Sequence, residues 1–468
     1  VVVGSGPNGL AAAVTLARAG WSVLVLEAES TIGGGTRTAE LTLPGFKHDV
    51  CSAVHPLGFL SPFFAQLPLS EHGLEWIHPP ASVAHPLQNG EAVQLERSLD
   101  ATAAGLGGDR LAYRRLVEPF IRDRDSWLEG VLAPARIPAS PITMARFAWH
   151  GLRSARRLAT GAFREERARA LFAGCAAHSI LPLESRLTAG VGLLFAITGH
   201  LADWPVARGG SHAITGALAS LFRQLGGEIV TGQRVTSTRE LPPARAWLLD
   251  LAPKQVAEIA ADRLPAAYRR RLQRYRYGPG AFKMDWALDA PIPWRAPECA
   301  RASTVHVGGT FEEIAASEAA VWKGEHPERP FVLVCQQSHV DRSRAPEGKH
   351  TGYAYCHVPH GSSFDMTGRI EAQIERFAPG FRDLILARHA TSAVDFERYN
   401  SSYVGGAITG GAADIGQFLA RPVARLDPYT TPDAAIYICS AATPPGGGVH
   451  GMCGHHAALS VLRRHVKR

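Results

Sequence analysis

The first residues, VVVGSGPNGLAAAVTLARAGWSVLVLEAE (1–29), decide the fold of this chain. Val1–Val3 are continuous and β-branched, the pattern of a strand buried on both faces. Gly4, Gly6 and Gly9 follow as G-x-G-x-x-G. Leu10–Ala19 is rich in Ala and Leu and predicts a helix that Gly20 ends, and Trp21–Leu26 predicts a second strand. Glu27 stands at that strand's end. Gly4 permits a tight turn, Gly6 lets backbone approach a pyrophosphate, and Gly9 lets helix and strand pack closely. The helix N-terminus then offers N–H donors to phosphate oxygens, and an acid about 20 residues on accepts ribose hydroxyls. Gly4, Gly6, Pro7, Asn8, Gly9, Glu27 and Ala28 are therefore the expected contacts of a dinucleotide.

Three further segments share the glycine-rich habit. TIGGGTRT (31–38) follows the acid directly. Near the other end, AAIYICSAATPPGGGVHGMCGHHAALSVLRRH (434–465) predicts a strand, a glycine loop and a helix. Between them, ARGGSHAITGALASLFRQLGGEIVTGQRV (207–235) predicts a helix bearing Ile214, Leu218, Leu221, Phe222 and Leu225, closed by Gly226–Gly227 and followed by a strand.

On these blocks the chain resembles the FAD-dependent phytoene dehydrogenase-like oxidoreductases of the flavin amine oxidase and phytoene desaturase superfamily. The resemblance is strong at both ends of the sequence and softer between, and it covers most of the chain. It implies non-covalent FAD. The loop containing Gly34, Gly35, Thr36 and Arg37 would run beside the ribityl chain and pyrophosphate. Val235 would touch the adenine through its backbone. Gly447, Gly448, Val449 and His450, matching the family's PGGGV-x-G loop, would pass the flavin, with Met452 close by. The stretch after Val235 departs from the pattern, being short where relatives carry an additional hairpin.

The implied fold class is α/β: a Rossmann-like FAD-binding domain assembled from discontinuous segments (1–60, 205–254 and 421–468). An α+β substrate domain (61–204 and 255–420) with a mixed sheet and a helical lid completes it. Three residues are candidates for catalysis. Lys283, in YGPGAFKMDWALD (277–289), sits on a strand after a glycine turn, where flavin amine oxidases place a lysine that holds a water at the flavin; a plain strand lysine fits the same pattern. His450 would lie near the isoalloxazine, catalytic or merely packed there. His55, in FKHDVCSAVHPLG (46–58), is a contact for flavin or substrate. LTAGVGLLFAITGHLADW (187–204), broken by His200 and Asp203, predicts a buried helix or pocket wall rather than a membrane span. NSSYVGGAITGGAADIGQF (400–418) reads as pocket wall, and Tyr353, Tyr355 and His357 as one face of a strand beneath a cavity.

Composition bounds the remaining choices. The chain has 468 residues and a net charge of +7, with no zinc-finger spacing, aromatic RNA-binding motif or basic tail, so nucleic acid is not an expected partner. Its seven cysteines form no C-x-x-C, and its twenty histidines show no metal spacing, so a reduced cytoplasmic setting without a metal is expected. No export signal is visible, although the sequence opens without Met and a few residues are expected ahead of Val1. Residues 145–174 mix Arg with Phe, Trp and Leu; they read as solvated amphipathic helices or as a lid touching the inner membrane face. One dinucleotide fingerprint and no paired cysteines argue against a pyridine-nucleotide disulfide reductase, leaving oxygen or a quinone as electron acceptor. The expected activity is removal of hydride from a mainly apolar small molecule, as in C–C desaturation. Amine oxidation and a redox-neutral flavin isomerisation are the enzymatic alternatives, and a GDI-like lipid or prenyl-protein binding protein is the non-enzymatic one. Monomer and homodimer both suit the sequence.

Overall fold

The computed structural model describes residues 1–466. Its first layer is a five-stranded parallel sheet in the order Ile436–Ile438, Trp247–Leu249, Val2–Val3, Leu24–Leu26, Glu228–Val230. The first strand of the sequence lies at the centre, as in doubly wound sheets that bind a ligand at their carboxyl ends. Helix Pro7–Arg18 starts with proline at its first turn, where the missing N–H costs nothing. It buries Leu10–Ala17 against helices His212–Gln224 and Met452–Val466. Contact there is backbone to backbone: a Cβ on Gly9 would stand 2.1 Å from the Gly4 carbonyl oxygen, and one on Gly454 would stand 1.8 Å from that of Asn8. Helix His212–Gln224 buries Ile214, Leu218, Leu221 and Phe222 as the periodicity predicts, while Leu225 is exposed just beyond its end.

The second layer is a seven-stranded mixed sheet. Its order is Ile385–Thr391, Gly280–Leu288, His350–Val358, Val332–Cys335, Ala302–Val307, Ala81–Pro86, Ala92–Leu95, with one parallel pair between Ala302–Val307 and Ala81–Pro86. Strand alternation divides its two faces. Phe282, Met284, Trp286, Val334, Ala354 and Cys356 enter a core on one side. Lys283, Leu333, Cys335, Tyr353 and Tyr355 point the other way, where helices Glu166–Ala177 and Thr188–Ala202 pack on each other above the sheet.

All five strands of the parallel sheet come from 1–60, 205–254 and 421–468, and all seven of the mixed sheet from the remainder. Helices Pro253–Ile259 and Ala266–Gln273, past the expected boundary at 254, nevertheless pack on the parallel sheet: Val256, Ile259, Tyr268 and Leu272 share a core with Val3, Leu249 and Ile436. Residues 145–174 form three helices, Pro141–Gly151, Ala155–Ala162 and Glu166–Ala177, of which the first exposes Ile142 and Trp149. No helix among the described residues is long and apolar enough to cross a membrane.

Candidate functional site

One cavity of about 380 Å³ runs between the two layers. At the parallel sheet its wall is the first glycine turn (Gly4, Gly6, Pro7 and Asn8), followed by Glu27 and Ala28. The second glycine cluster (Gly34, Gly35, Thr36 and Arg37), Val235 and, from the far end of the sequence, Gly448 and Val449 complete it. Glu27 is buried and held by its neighbours. Its Oε2 accepts the Ser5 N–H at 2.9 Å and its Oε1 accepts the Glu29 N–H at 3.0 Å, with Arg37 Nη2 at 3.3 Å. The second cluster folds onto the first turn: the Gly33 N–H donates to the Ser5 carbonyl at 3.2 Å, and a Cβ on Gly34 would stand 3.1 Å from Gly6 Cα. Asn8 keeps a buried Oδ1 with no partner among the described residues. Backbone bared by glycine, a helix N-terminus, an acid and an unsatisfied polar atom fit a dinucleotide with its phosphates at the turn.

Asp250 belongs to this wall and was not anticipated. It ends strand Trp247–Leu249 and accepts the Gly9 N–H at 2.8 Å through Oδ2. Burial, and then the charge of Glu27, push its carboxyl up to about 7 against the pull of Gly9. The only sequence signal was an acid closing an apolar strand, WLLD, the position Glu27 also occupies.

The other end of the cavity is aromatic and apolar. Phe195 and Trp204, from the segment read as pocket wall, face Leu333, Tyr353 and Tyr355 on the mixed sheet, and His178 joins them. His357, the third residue of the alternating face, stands behind this wall with its Nδ1 2.8 Å from Glu318 Oε2. Loop residues 400–403 and 408–410 close the side. Tyr399 donates to the Gly34 carbonyl at 2.8 Å, tying that loop to the second glycine cluster.

The three catalytic candidates separate. His55 lies on the cavity wall. Ser211 Oγ donates to the Ser52 carbonyl at 2.7 Å, so the 2.8 Å contact from His55 Nε2 to the same Oγ makes Nε2 the donor. Nδ1 is then a bare acceptor, buried without a partner among the described residues. Burial lowers the imidazole to about 4, so at neutral pH His55 is uncharged and a poor acceptor of a full proton. Lys283 does not reach the cavity wall. It is fully buried, paired with Asp285, and its Nζ lies 4.4 Å from the centroid of the Tyr353 ring, which stands on the wall in front of it. Burial pushes Asp285 up to about 6 despite the lysine.

His450 is also off the wall; its Nδ1 accepts the Met452 N–H at 3.0 Å, fastening the start of helix Met452–Val466. Gly447 is turned away as well: a Cβ there would stand 2.4 Å from the Thr409 carbonyl oxygen. A side chain at 447 therefore displaces the 400–418 loop rather than filling the cavity. Gly9 sits behind the turn, holding helix to strand.

A buried charge cluster fixes the floor beneath His55. Arg344 bridges Asp49 and Asp341 at 3.0 Å each, and Asp49 accepts the Ser211 N–H at 2.7 Å. Burial opposes ionisation of Asp49, but Arg344 and these hydrogen bonds hold it below the usual carboxylate range. All seven cysteines are buried and unpaired, and no group of three or more metal-ligating side chains occurs among the described residues.

Known proteins agree with this arrangement. Residues 2–67 match the NAD(P)-binding Rossmann-like domain. The chain is 27% identical to the mouse (Mus musculus) pyridine nucleotide-disulfide oxidoreductase domain-containing protein 2, over 99% of this chain and 93% of that protein. It is 27% identical to a phytoene dehydrogenase of Streptomyces griseus, over 83% and 77%. Among solved structures, an oxidoreductase from Methanosarcina mazei matches with a TM-score of 0.67 at 18% identity over 99% of both chains. A putrescine oxidase bound to putrescine matches at 0.63 and 17%, over 100% and 98%. Sheet order, glycine turn and these likenesses define a Rossmann-type oxidoreductase. Relatives in that class include phytoene dehydrogenases, at 27% identity or below.

Proposed function

We propose that the chain is an FAD-dependent oxidoreductase that takes hydride from a mainly apolar small molecule. One observation carries this reading: a single cavity joins the Gly4–Gly9 turn and Glu27 to an aromatic, apolar chamber walled by Phe195, Trp204, Leu333 and Tyr355. Flavin rather than nicotinamide is favoured by the second glycine cluster lying against the first turn and by Gly448–Val449 closing the wall from the far end of the sequence. Glu27 would take ribose hydroxyls, and the start of helix Pro7–Arg18 would face the pyrophosphate. When bound, FAD supplies the hydride acceptor. The protein's share is positional: Phe195, Trp204 and Tyr355 hold the substrate and exclude water.

Carboxylates line the cavity only at Glu27, Glu29 and Asp250, all on the dinucleotide side. The chamber thus lacks the counter-charge an ammonium would want, which favours dehydrogenation of a neutral substrate over amine oxidation. The test is the visible spectrum of the purified protein before and after heat release of any chromophore. Two flavin bands with complete release are expected. A colourless protein that takes up no added FAD sinks the proposal.

A further inference from the structure

The chamber is not uniformly apolar. His178 and Trp204 lie where the chain leaves helices Glu166–Ala177 and Thr188–Ala202, and both line the cavity. The backbone pays attention to these positions: Ile180, Asp203 and Trp204 all have positive φ, at 54°, 56° and 46°. Left-handed backbone at a bulky side chain is strained, and strain held in a folded protein clusters at ligand sites. The Trp204 ring stands edge-on to His178, with ring centroids 5.5 Å apart, while Phe195 stacks on the imidazole at 4.3 Å.

His178 Nε2 lies 3.1 Å from His306 Nε2. Two imidazoles in contact need one donor and one acceptor nitrogen, so the pair has two tautomeric arrangements. In one, His178 donates to His306 and its Nδ1 is an acceptor. In the other, it accepts and its Nδ1 carries the proton. His306 is fully buried against Gly174, where a Cβ would stand 2.5 Å from its Nδ1, which has no partner among the described residues. No fixed partner among the described residues ties that nitrogen to one state, so the pair can present a donor or an acceptor. Burial lowers both rings, His178 to about 3, so both are neutral at physiological pH. The Tyr355 hydroxyl adds a further donor and acceptor on the opposite wall. The buried Trp204 Nε1–H lacks an acceptor among the described residues. No metal-ligating group of three or more occurs among the described residues, and no carboxylate lines this end.

We propose that the inner end of the cavity recognises a neutral oxygen function, a hydroxyl or a carbonyl, on an otherwise apolar substrate. His178 makes the contact, and His306 is the positioning residue that lets it donate or accept. This deepens the oxidoreductase reading and rests on it for the word substrate, whereas the binding preference is a property of the chamber alone. It separates the chain's ligand from a pure hydrocarbon, which leaves the polar wall unsatisfied, and from an ammonium, which the wall cannot neutralise.

The test uses four probes on one skeleton: phenylcyclohexane, 4-phenylcyclohexanol, 4-phenylcyclohexanone and 4-phenylcyclohexylamine. Binding to the purified protein is measured by equilibrium dialysis, and flavin content is read separately from visible absorbance. The alcohol and ketone are expected to bind about tenfold more tightly than the hydrocarbon and the amine, the yield of one net hydrogen bond. His178→Phe keeps the stack on Phe195 and should bring alcohol and ketone to the level of the hydrocarbon. His306→Phe should reduce the preference while leaving hydrocarbon binding intact. Equal binding of the hydrocarbon or tighter binding of the amine by the wild-type protein overturns the proposal without any variant, as does a preference that survives His178→Phe. A protein without flavin that still prefers the ketone leaves this inference standing and removes only the reading above it.

Discussion

Asp250→Asn tests the electrostatics of the dinucleotide wall. The carboxyl accepts the Gly9 N–H, and an asparagine oxygen can accept the same bond. Burial, followed by the nearby Glu27 charge, raises the folded-state value from the usual 3.8 to about 7. An acid raised in this way favours folding in its protonated form. Its contribution is therefore present at low pH and is lost as pH rises from about 4 through about 7. Three powers of ten between the two values correspond to about 4 kcal/mol, of which roughly two thirds accrues between pH 5 and pH 8.5. The carboxyl keeps a face on the cavity, where water screens it, which trims the difference to about 2 kcal/mol. Urea unfolding of cofactor-free protein at about pH 5 and about pH 8.5 measures this, because taking variant minus wild type cancels the other titrating groups. The asparagine variant should gain about 2 kcal/mol on the wild type between the two pH values. An advantage that is constant with pH, or that grows toward acid, would show that Asp250 is ionised without penalty and would refute the account of this wall.

Three further substitutions probe other parts of the structure. Glu27→Ala frees the Ser5 and Glu29 N–H groups and the Arg37 guanidinium; it should cost about 2–3 kcal/mol and weaken FAD binding at least tenfold, and unchanged flavin retention on dialysis would contradict the assigned role. Lys283→Met leaves Asp285 buried without its ammonium and should destabilise by about 3 kcal/mol, whereas Lys283→Met combined with Asp285→Leu should recover much of the loss; a neutral single variant in thermal melts would mean that the pair is not closed off from water. Gly447→Ala presses a methyl onto the Thr409 carbonyl and should lower stability by about 1–3 kcal/mol, with flavin content falling only as far as the 400–418 loop is displaced; loss of flavin at full stability would instead put residue 447 on the cavity.

The parallel sheet was legible because its signals are local. Three β-branched residues, a glycine turn and an Ala-rich helix announce the Pro7–Arg18 unit without reference to anything distant, and the strand–glycine–helix pattern at 434–465 does the same. The alternation of Tyr353 and Tyr355 was visible for the same reason, although alternation alone could not say which face the helices cover. What escaped the sequence depends on contacts between remote segments. His178 ends an Ala-rich helix and looks like a surface polar residue until Phe195 and His306 enclose it. Arg344 sits in RSRAPEG, a stretch that reads as solvated loop, yet it is fully buried because Asp49, nearly three hundred residues earlier, faces Asp341 across it. His450 was placed at the flavin by its glycine-rich surroundings, but the direction of its side chain is set by the Met452 N–H. Residue type and spacing identify loops, whereas the rotamer that carries a side chain toward or away from a cavity follows from packing.

The strand order has a consequence for how the chain comes off the ribosome. Strand Ile436–Ile438 pairs beside Trp247–Leu249, and helix Met452–Val466 lies against Pro7–Arg18, so the first glycine turn waits for a segment made much later. At synthesis rates of about 5–20 residues per second, that wait lasts tens of seconds. Through it the apolar face of Leu10–Ala17 lacks one of its two covering helices, and Gly448–Val449 have not yet closed the wall. Nascent chains of this protein should depend on holding factors, and cofactor capture should wait until residues 436–466 have been made.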